Sequence, residues 1–234
     1  MPCLRSILSV FGLCLAVPQP ALSSDTRNLD SRLTSLGWEE IIFDGKIPNT
    51  YASCGQNCVE ITTLDSVSLI GKEVGVNLSR TPILKWEWQI ENPVIPSDLT
   101  AKGQDDRAAA LYVTFPYDPD TATFSEKMLR PVVELARGPD APGRVISYVW
   151  GGFGKTGDVL ESPYGGAVSV MVICRNQEAP VDAWVSERFD VVADYQRFFG
   201  SIPRIVAHVL LSSDSDDTGA TNRARVRNIR FNAD

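Results

Sequence analysis

The sequence predicts an all-β chain folded as a β-sandwich, and two features of its pattern support this. Short apolar or alternating runs recur along most of the chain, separated by joints rich in Gly, Pro, Asn and Asp. Such runs are typical of strands joined by turns. Only two stretches carry apolar residues at helical spacing. Many short strands with few helices pack as two layers of sheet around one core.

The elements follow from these local patterns, taken from the N-terminus. Residues 25–36 are polar and predict a short helix or an extended lead-in, and residues 38–44 alternate enough to form a first strand. Helical spacing predicts one short helix at 191–199 and a second at 125–137. The other predicted strands are 50–52, 58–64, 66–70, 83–90, 108–115, 145–150, 167–175, 184–189, 205–212 and 225–231.

The strand at residues 83–90 shows most clearly how side chains divide between two faces. Successive side chains of a strand point to opposite sides, so its apolar and polar residues separate completely. Two tryptophans on one side suit a sugar-stacking platform, but beside Leu and Ile they favour the interior. We expect Leu84, Trp86, Trp88 and Ile90 in the core, and Lys85, Glu87 and Gln89 on an accessible working face.

A charged loop at residues 102–107 leads into the strand at 108–115, whose Tyr112 belongs to its polar face. Asp105 and Asp106 are adjacent, and adjacent side chains of an extended chain point apart, so they cannot act together as a catalytic pair. Either they hold the loop through backbone amides and Arg107, or one of them works with a distant partner such as Glu87.

The charge balance argues against a nucleic-acid partner. The chain carries 22 basic and 29 acidic side chains, a formal net charge of -7. Removing residues 1–23 takes away only Arg5, which leaves 21 basic side chains against 29 acidic ones, a net charge of -8. Such a surface repels a phosphate backbone.

The N-terminus predicts a secretory signal peptide over residues 1–23. Arg5 precedes an apolar run at 7–17, and Ala21 and Ser23 provide small residues at a cleavage site. The run is too short for a membrane anchor. We therefore expect a periplasmic or secreted protein without a transmembrane anchor, with a lead-in over residues 24–42 and one domain over 43–234.

Export changes the interpretation of the cysteines, because disulfides form in oxidising compartments. Cys54 and Cys58 flank the turn-forming Gly55-Gln56-Asn57, and we expect them to be paired. A metal site would need two further ligands, and the chain has one His. Cys174 ends an alternating apolar run and is predicted to be a buried free thiol.

Several longer motifs stand out along the chain. They are Arg80-Thr81-Pro82-Ile83-Leu84-Lys85-Trp86-Glu87-Trp88, the loop and strand at 102–115, Ser147-Tyr148-Val149-Trp150, Ser162-Pro163-Tyr164, the block at 184–195 and Asp214-Ser215-Asp216-Asp217-Thr218-Gly219. These motifs resemble those of the DUF3047 family of exported bacterial proteins of unknown function. The resemblance spans about residues 43–231 and implies a jelly-roll-like antiparallel β-sandwich with one or two short helices. Gln104 and Ala110 depart from the family pattern.

The last of these motifs begins like a calcium loop. Asp214, Asp216 and Thr218 occupy positions one, three and five, and Gly219 occupies position six. The closing acid is missing, because Arg225 stands at position twelve. A calcium site and an Asp-rich turn between the last two strands both remain open. No other cofactor is indicated.

Three functions are compatible with these features, and the first is preferred. It is a non-catalytic β-sandwich that binds a polysaccharide or another polar ligand. The second is an enzyme that cleaves polysaccharide, a hydrolase or lyase using Glu87, Tyr112 and Asp106. The third is a structural interaction protein of the cell envelope. The candidate ligand-binding residues are Lys85, Glu87, Gln89, Asp105, Asp106, Arg107, Tyr112, Tyr148 and Tyr164.

Overall fold

The computed structural model describes residues 20–21 and 28–234, and they form two sheets with three helices. The predicted signal peptide lies outside the described residues, apart from Pro20 and Ala21. The helices are α1 (Ser31–Ser35), α2 (Phe124–Arg137) and α3 (Val191–Phe199), and the strands are β1 (Pro20–Ala21), β2 (Glu39–Phe43), β3 (Thr50–Gly55), β4 (Cys58–Leu64), β5 (Val67–Asn77), β6 (Ile83–Ile90), β7 (Arg107–Phe115), β8 (Arg144–Trp150), β9 (Val159–Ser162), β10 (Gly166–Arg175), β11 (Val185–Asp190), β12 (Ile205–Asp214) and β13 (Thr221–Asn232).

The strands form an eight-stranded sheet, here sheet A, and a five-stranded sheet, here sheet B. The order in sheet A is β1-β2-β5-β12-β7-β8-β10-β9, and the order in sheet B is β11-β6-β13-β4-β3. Among the described residues, every strand pair is antiparallel except β8 with β10. The predicted all-β sandwich is therefore confirmed. β2 pairs within sheet A, so the sandwich includes residues that the sequence placed in the lead-in.

The core between the sheets follows the alternation expected from the sequence. In β6, Trp86 and Trp88 are at most 1% exposed, whereas Glu87 between them is partly accessible. The two indole rings meet edge to face with centroids 5.3 Å apart. The tryptophans therefore form core and are not a surface platform, because they share a face with Leu84 and Ile90.

The helices begin and end where their capping residues require. Thr123 and Glu126 form a reciprocal capping box at the start of α2. The Asp190 carboxylate accepts the amides of Val192 and Ala193 at the start of α3. Gly200 ends α3 with φ 71°, a left-handed conformation that glycine adopts without strain. None of the described helices has the length and apolar character needed to cross a bilayer.

Both predictions about the cysteines of the domain are confirmed. Cys54 and Cys58 form a disulfide with their Cα atoms 5.0 Å apart. It joins the end of β3 to the beginning of β4 across a tight turn, where Asn57 has φ 55°. Cys174 is a buried free thiol in β10.

Candidate functional site

A group of charged side chains gathers where β12 ends and β7 begins, at one end of these two central strands of sheet A. The antiparallel register of these strands places Asp214 opposite Arg107. The loop before β7 and the loop after β12 therefore meet, although more than a hundred residues separate them in sequence. We call this group the rim cluster; it comprises Lys46, Asp105, Asp106, Arg107, Tyr164, Asp214, Asp216 and Asp217.

Asp106 is fully buried and holds the two loops together. Its Oδ1 accepts the amide of Asp217 at 3.2 Å, and its Oδ2 accepts the amide of Thr218 at 2.8 Å and the Thr218 hydroxyl at 2.6 Å. The backbone carbonyl of Asp106 accepts the Ser97 hydroxyl at 2.5 Å. Both carboxylate oxygens thus have donors within the protein, which is the behaviour of a structural residue.

Asp105 points away from Asp106, as the alternation of an extended chain requires. Its carboxylate accepts one guanidinium nitrogen of Arg107 at 3.1 Å and the Tyr164 hydroxyl at 2.8 Å. Its amide donates to Asp217 at 3.1 Å. Because the two neighbouring carboxylates serve different partners, they do not form a catalytic pair.

Arg107 lies between two buried carboxylates, those of Asp105 and Asp214, with Asp214 at 3.2 Å. Burial opposes its charge, but the surrounding Tyr112 and carboxylates raise the pKa of Arg107 overall. Burial also raises the pKa of Tyr112, and the positive charge of Arg107 offsets part of this rise. The guanidinium therefore stays charged and fixes the positions of its neighbours.

The carboxyls of Asp214 and Asp216 lie next to each other but differ in electrostatic environment. Burial raises the pKa of Asp214 well above its usual value. Partial burial also opposes the charge of Asp216, but hydrogen bonds from Asp214 and Lys46 lower the pKa of Asp216 overall. Asp214 Oδ1 is buried and has no hydrogen-bond donor among the described residues. A proton on Asp214, or a bound cation, would satisfy this oxygen.

Tyr164 is the exposed aromatic residue of the rim cluster. Its side chain is 41% exposed, and its hydroxyl is held by Asp105. Burial, followed by the nearby Asp105 charge, raises the pKa of Tyr164, so the hydroxyl remains a donor. The Lys102 ammonium lies 5.6 Å from the ring centroid. An exposed ring, an ammonium group and the exposed Asp217 are thus presented side by side.

The structure separates Lys85, Glu87 and Gln89 from the rim cluster. They lie on the outer face of sheet B, whereas Tyr112 lies in sheet A, so β6 and β7 do not provide one shared polar face. Arg227 donates to Glu87 and lowers the pKa of that carboxyl. The proposed convergence of Glu87, Tyr112 and Asp106 in one groove is therefore wrong.

Tyr148 was also expected to contact ligand, but the structure buries its ring completely. Its hydroxyl donates to Asp194 at 2.8 Å, and its ring lies 4.4 Å from Phe189, centroid to centroid. Inward-facing β8 residues pack between the sheets, which removes Tyr148 from any surface site.

The acidic residues that could share a metal ion differ from those expected. Oxygens of Asp106, Asp216 and Asp217 lie within 4.8 Å of one another. Of the predicted set, Asp216 belongs to this group. Asp214 lies behind it against Arg107, and the Thr218 hydroxyl donates to Asp106. Calcium binding therefore stays a prediction, and Asp216 is the residue shared by the predicted ligands and the group found in the structure.

Two members of the rim cluster, Lys46 and Asp217, were missed by the sequence interpretation. Lys46 forms an ion pair with Asp216 from a turn 170 residues earlier in the chain. No local pattern marks such a contact. Asp217 stands inside a motif that the sequence does single out, and only the spacing of a calcium loop excluded it.

Solved structures of the same sandwich type resemble this chain, but distantly. The xyloglucanase domain of NopAA, a type three effector from Sinorhizobium fredii solved with cellobiose, is 10% identical, with 83% of this chain and 93% of that chain covered at a TM-score of 0.43. The endoglucanase cel12A from Rhodothermus marinus is also 10% identical, with 83% of this chain and 91% of that chain covered at a TM-score of 0.44. The carbohydrate-binding module CBM28, specific for non-crystalline cellulose, is 9% identical, with 86% of this chain and 90% of that chain covered at a TM-score of 0.36. Similarity at this level carries no argument about activity.

No curated protein matches the chain. One family model does match it, over residues 36–230, and describes a protein of unknown function, DUF3047. This range includes every described strand except β1 and the last two residues of β13, and it includes the whole rim cluster. The chain therefore belongs to the DUF3047 family.

Proposed function

We propose that this protein is an exported, periplasmic or secreted, non-catalytic binding protein whose rim cluster holds a hydroxyl-rich ligand such as a polysaccharide. A sugar offers apolar C–H faces to an aromatic ring and hydroxyl groups to charged donors and acceptors. The rim cluster presents both kinds of partner on one accessible patch.

The observation that carries the proposal is the fixed orientation of the exposed Tyr164 ring. Its hydroxyl donates to the buried Asp105, which Arg107 in turn holds in place. A ring locked in this way loses little conformational freedom when a ligand binds. Lys102 and Asp217 flank it as donor and acceptor.

Binding is preferred over catalysis because the Asp105 and Asp106 carboxylates already have donors within the protein. Asp106 accepts three hydrogen bonds from the loop at residues 217–218, and Asp105 accepts from Arg107 and Tyr164. A general base needs a free oxygen within reach of the proton that it removes.

A glycan array probed with the purified protein tests the proposal. We expect a signal that Tyr164→Ala abolishes and Tyr164→Phe weakens, because the ring remains in the second variant but its anchor to Asp105 is lost. Phe124→Ala, which removes an exposed aromatic ring from α2, is the matched control and should bind normally. A signal that survives Tyr164→Ala would refute the assignment to the rim cluster.

Polysaccharide cleavage is the second candidate, supported by the Asp214 and Asp216 pair. Neighbouring carboxyls with pKa values shifted in opposite directions are a common arrangement for acid and base roles. Incubation with a glycan panel would then release products, and Asp216→Asn would stop the release. If no product forms while array binding persists, the enzyme hypothesis is eliminated and the binding function stands.

A further inference from the structure

A cavity of about 470 Å³ opens between the two sheets, away from the rim cluster. It lies beside the half of β12 that begins at Ile205, whereas the rim cluster lies at the other end of that strand. α1 lines one side of it. The lining side chains are mostly aliphatic or aromatic and include Leu33, Leu36, Val59, Val74, Val76 and Phe231.

β13, which lines part of the cavity, is irregular near its end. Its register against β6 shifts between Arg227 and Arg230, where Asn228 has φ 55°. A bulge of this kind bends a strand and redirects its side chains. Ile229 lines the cavity instead of continuing the regular ladder. An apolar space of this size, open to solvent, falls in the range that small-molecule ligands occupy.

The charged side chains around this apolar space are all basic. Lys72, Arg80 and Arg230 line it, and no Asp or Glu does, although the chain as a whole has a net charge of -7. Within the described part of the chain, Lys72 and Arg80 have no carboxylate partner. Several arginines elsewhere are paired with acids, such as Arg107 with Asp105, Arg144 with Glu126, Arg175 with Glu187, Arg225 with Glu60 and Arg227 with Glu87.

We propose that this cavity binds a single-chain anionic amphiphile, a fatty acid. Its hydrocarbon chain lies between the sheets against Val74, Val76 and Phe231. Its carboxylate lies at the mouth and supplies the negative partner that Lys72 and Arg80 lack within the protein. Apolar burial provides most of the affinity, and the cations select the charge of the head group.

Displacement of a dansylated undecanoic acid from the purified protein tests this inference. We expect dodecanoate to displace the probe, dodecanol to compete at least tenfold more weakly, and dodecyltrimethylammonium to fail. These three ligands share the chain and differ in head-group charge, so the series measures the contribution of the basic mouth separately from that of the apolar lining.

Two kinds of variant assign the site. Lys72→Glu combined with Arg80→Glu should weaken the binding of dodecanoate by about a hundredfold, about tenfold for each reversed charge. The binding of dodecanol should be unchanged. Val76→Trp, which fills the cavity, should weaken both ligands. Lys127→Glu is the matched control, because it reverses an exposed lysine on α2 that does not line the cavity. Thermal melting of each variant checks that it is folded.

Three outcomes would overturn the inference. The first is equal affinity for dodecanoate and dodecanol, with no effect of the charge reversals. The second is failure of every ligand to displace the probe from the folded protein. The third is displacement that disappears as the protein concentration rises, which would identify a second copy of the chain as the occupant. None of these bears on the rim cluster, whose glycan test uses different residues.

Discussion

Charged side chains cluster at two places in this molecule, and the two differ in burial. In the rim cluster, the Asp105, Arg107 and Asp214 side chains are 2%, 10% and 8% exposed. On the outer face of sheet B, the paired Arg227 and Glu87 are 37% and 25% exposed. We call this second group the outer ladder; it comprises Glu60, Glu87, Glu91, Arg223, Arg225 and Arg227.

The same residue types therefore serve different purposes in the two places. Water and salt screen the outer ladder, so each of its ion pairs adds little to stability. In the rim cluster, removing one member of an ion pair is costly, because little water can reach the charge that remains. The comparison predicts that substitutions of equal size will have large effects in the rim cluster and small ones in the outer ladder.

Arg107→Met is expected to give the largest effect, a loss of about 3–5 kcal/mol in the free energy of unfolding. It leaves Asp105 and Asp214 buried without their shared cation. Urea unfolding measures the loss. Arg227→Met in the outer ladder is the matched control and should cost about 1 kcal/mol or less. Equal losses for both variants would remove the distinction between the two regions.

Asp106→Ala should cost about 3 kcal/mol, because it leaves the amides of Asp217 and Thr218 without acceptors. Asp98→Ala is the control. Asp98 also accepts an amide and a hydroxyl, both from Thr100, but in an exposed loop where water can replace it. If Asp106→Ala unfolds no more easily than Asp98→Ala, Asp106 does not hold the loops together.

Calcium should stabilise the rim cluster if the group around Asp216 binds it. The gain is about 2.7 kcal/mol when the free ion is at a hundredfold excess over its Kd. A rise in Tm that Asp216→Asn abolishes would support the site. Glu91→Gln in the outer ladder should leave the rise intact. No change in Tm at millimolar calcium would exclude the calcium hypothesis.

The titration of Asp214 gives the rim cluster a characteristic dependence on pH. Because burial raises the folded pKa of Asp214, the folded state holds this proton more tightly than the unfolded chain does. Its contribution to stability is complete below the unfolded pKa of about 4 and is lost as the pH rises through the folded pKa. Asp214→Asn removes this titration.

We therefore expect Asp214→Asn to flatten the fall in unfolding free energy that begins near pH 4. Urea unfolding of both proteins across this pH range measures the difference. If the unfolding free energy changes with pH equally in the wild type and the variant, Asp214 does not cause the pH dependence.

Glu87→Gln should give the smallest effect, between 0 and about 1 kcal/mol, because the pair with Arg227 is partly solvated. The measured difference should shrink further at high salt. Glycan binding at the rim cluster should be unchanged. A loss of binding in Glu87→Gln would restore the outer face of sheet B as a candidate site.

Much of the fold was predictable because its signals are local. The parity of β6 separates Trp86 and Trp88 from Glu87, and the limits of β4 and β6 coincide with the predicted ones. β9 was missed, since only four residues of mixed character form it. β5 was predicted too short, because its second half alternates around Gly75 and remains partly solvated.

The candidate site was predictable only in part. The loop at 102–107 and the motif at 214–219 were both singled out, but as separate features. Tyr148 and Glu87 fit a local pattern of polar or aromatic residues and were still assigned to the wrong surroundings. The cavity beside Lys72 had no sequence signal, since its lining comes from four separate strands, α1 and the segments between them.

The sequence by itself determined which side chains share a face of each strand, where α2 and α3 lie and which cysteines lie close enough to pair. These properties depend on a few neighbouring residues and on backbone geometry. Only the tertiary structure decided which sheet each strand joins, and hence that Arg107 meets Asp214 while Glu87 meets Arg227. Strand order depends on the free energy of packing the whole chain, which no short stretch contains.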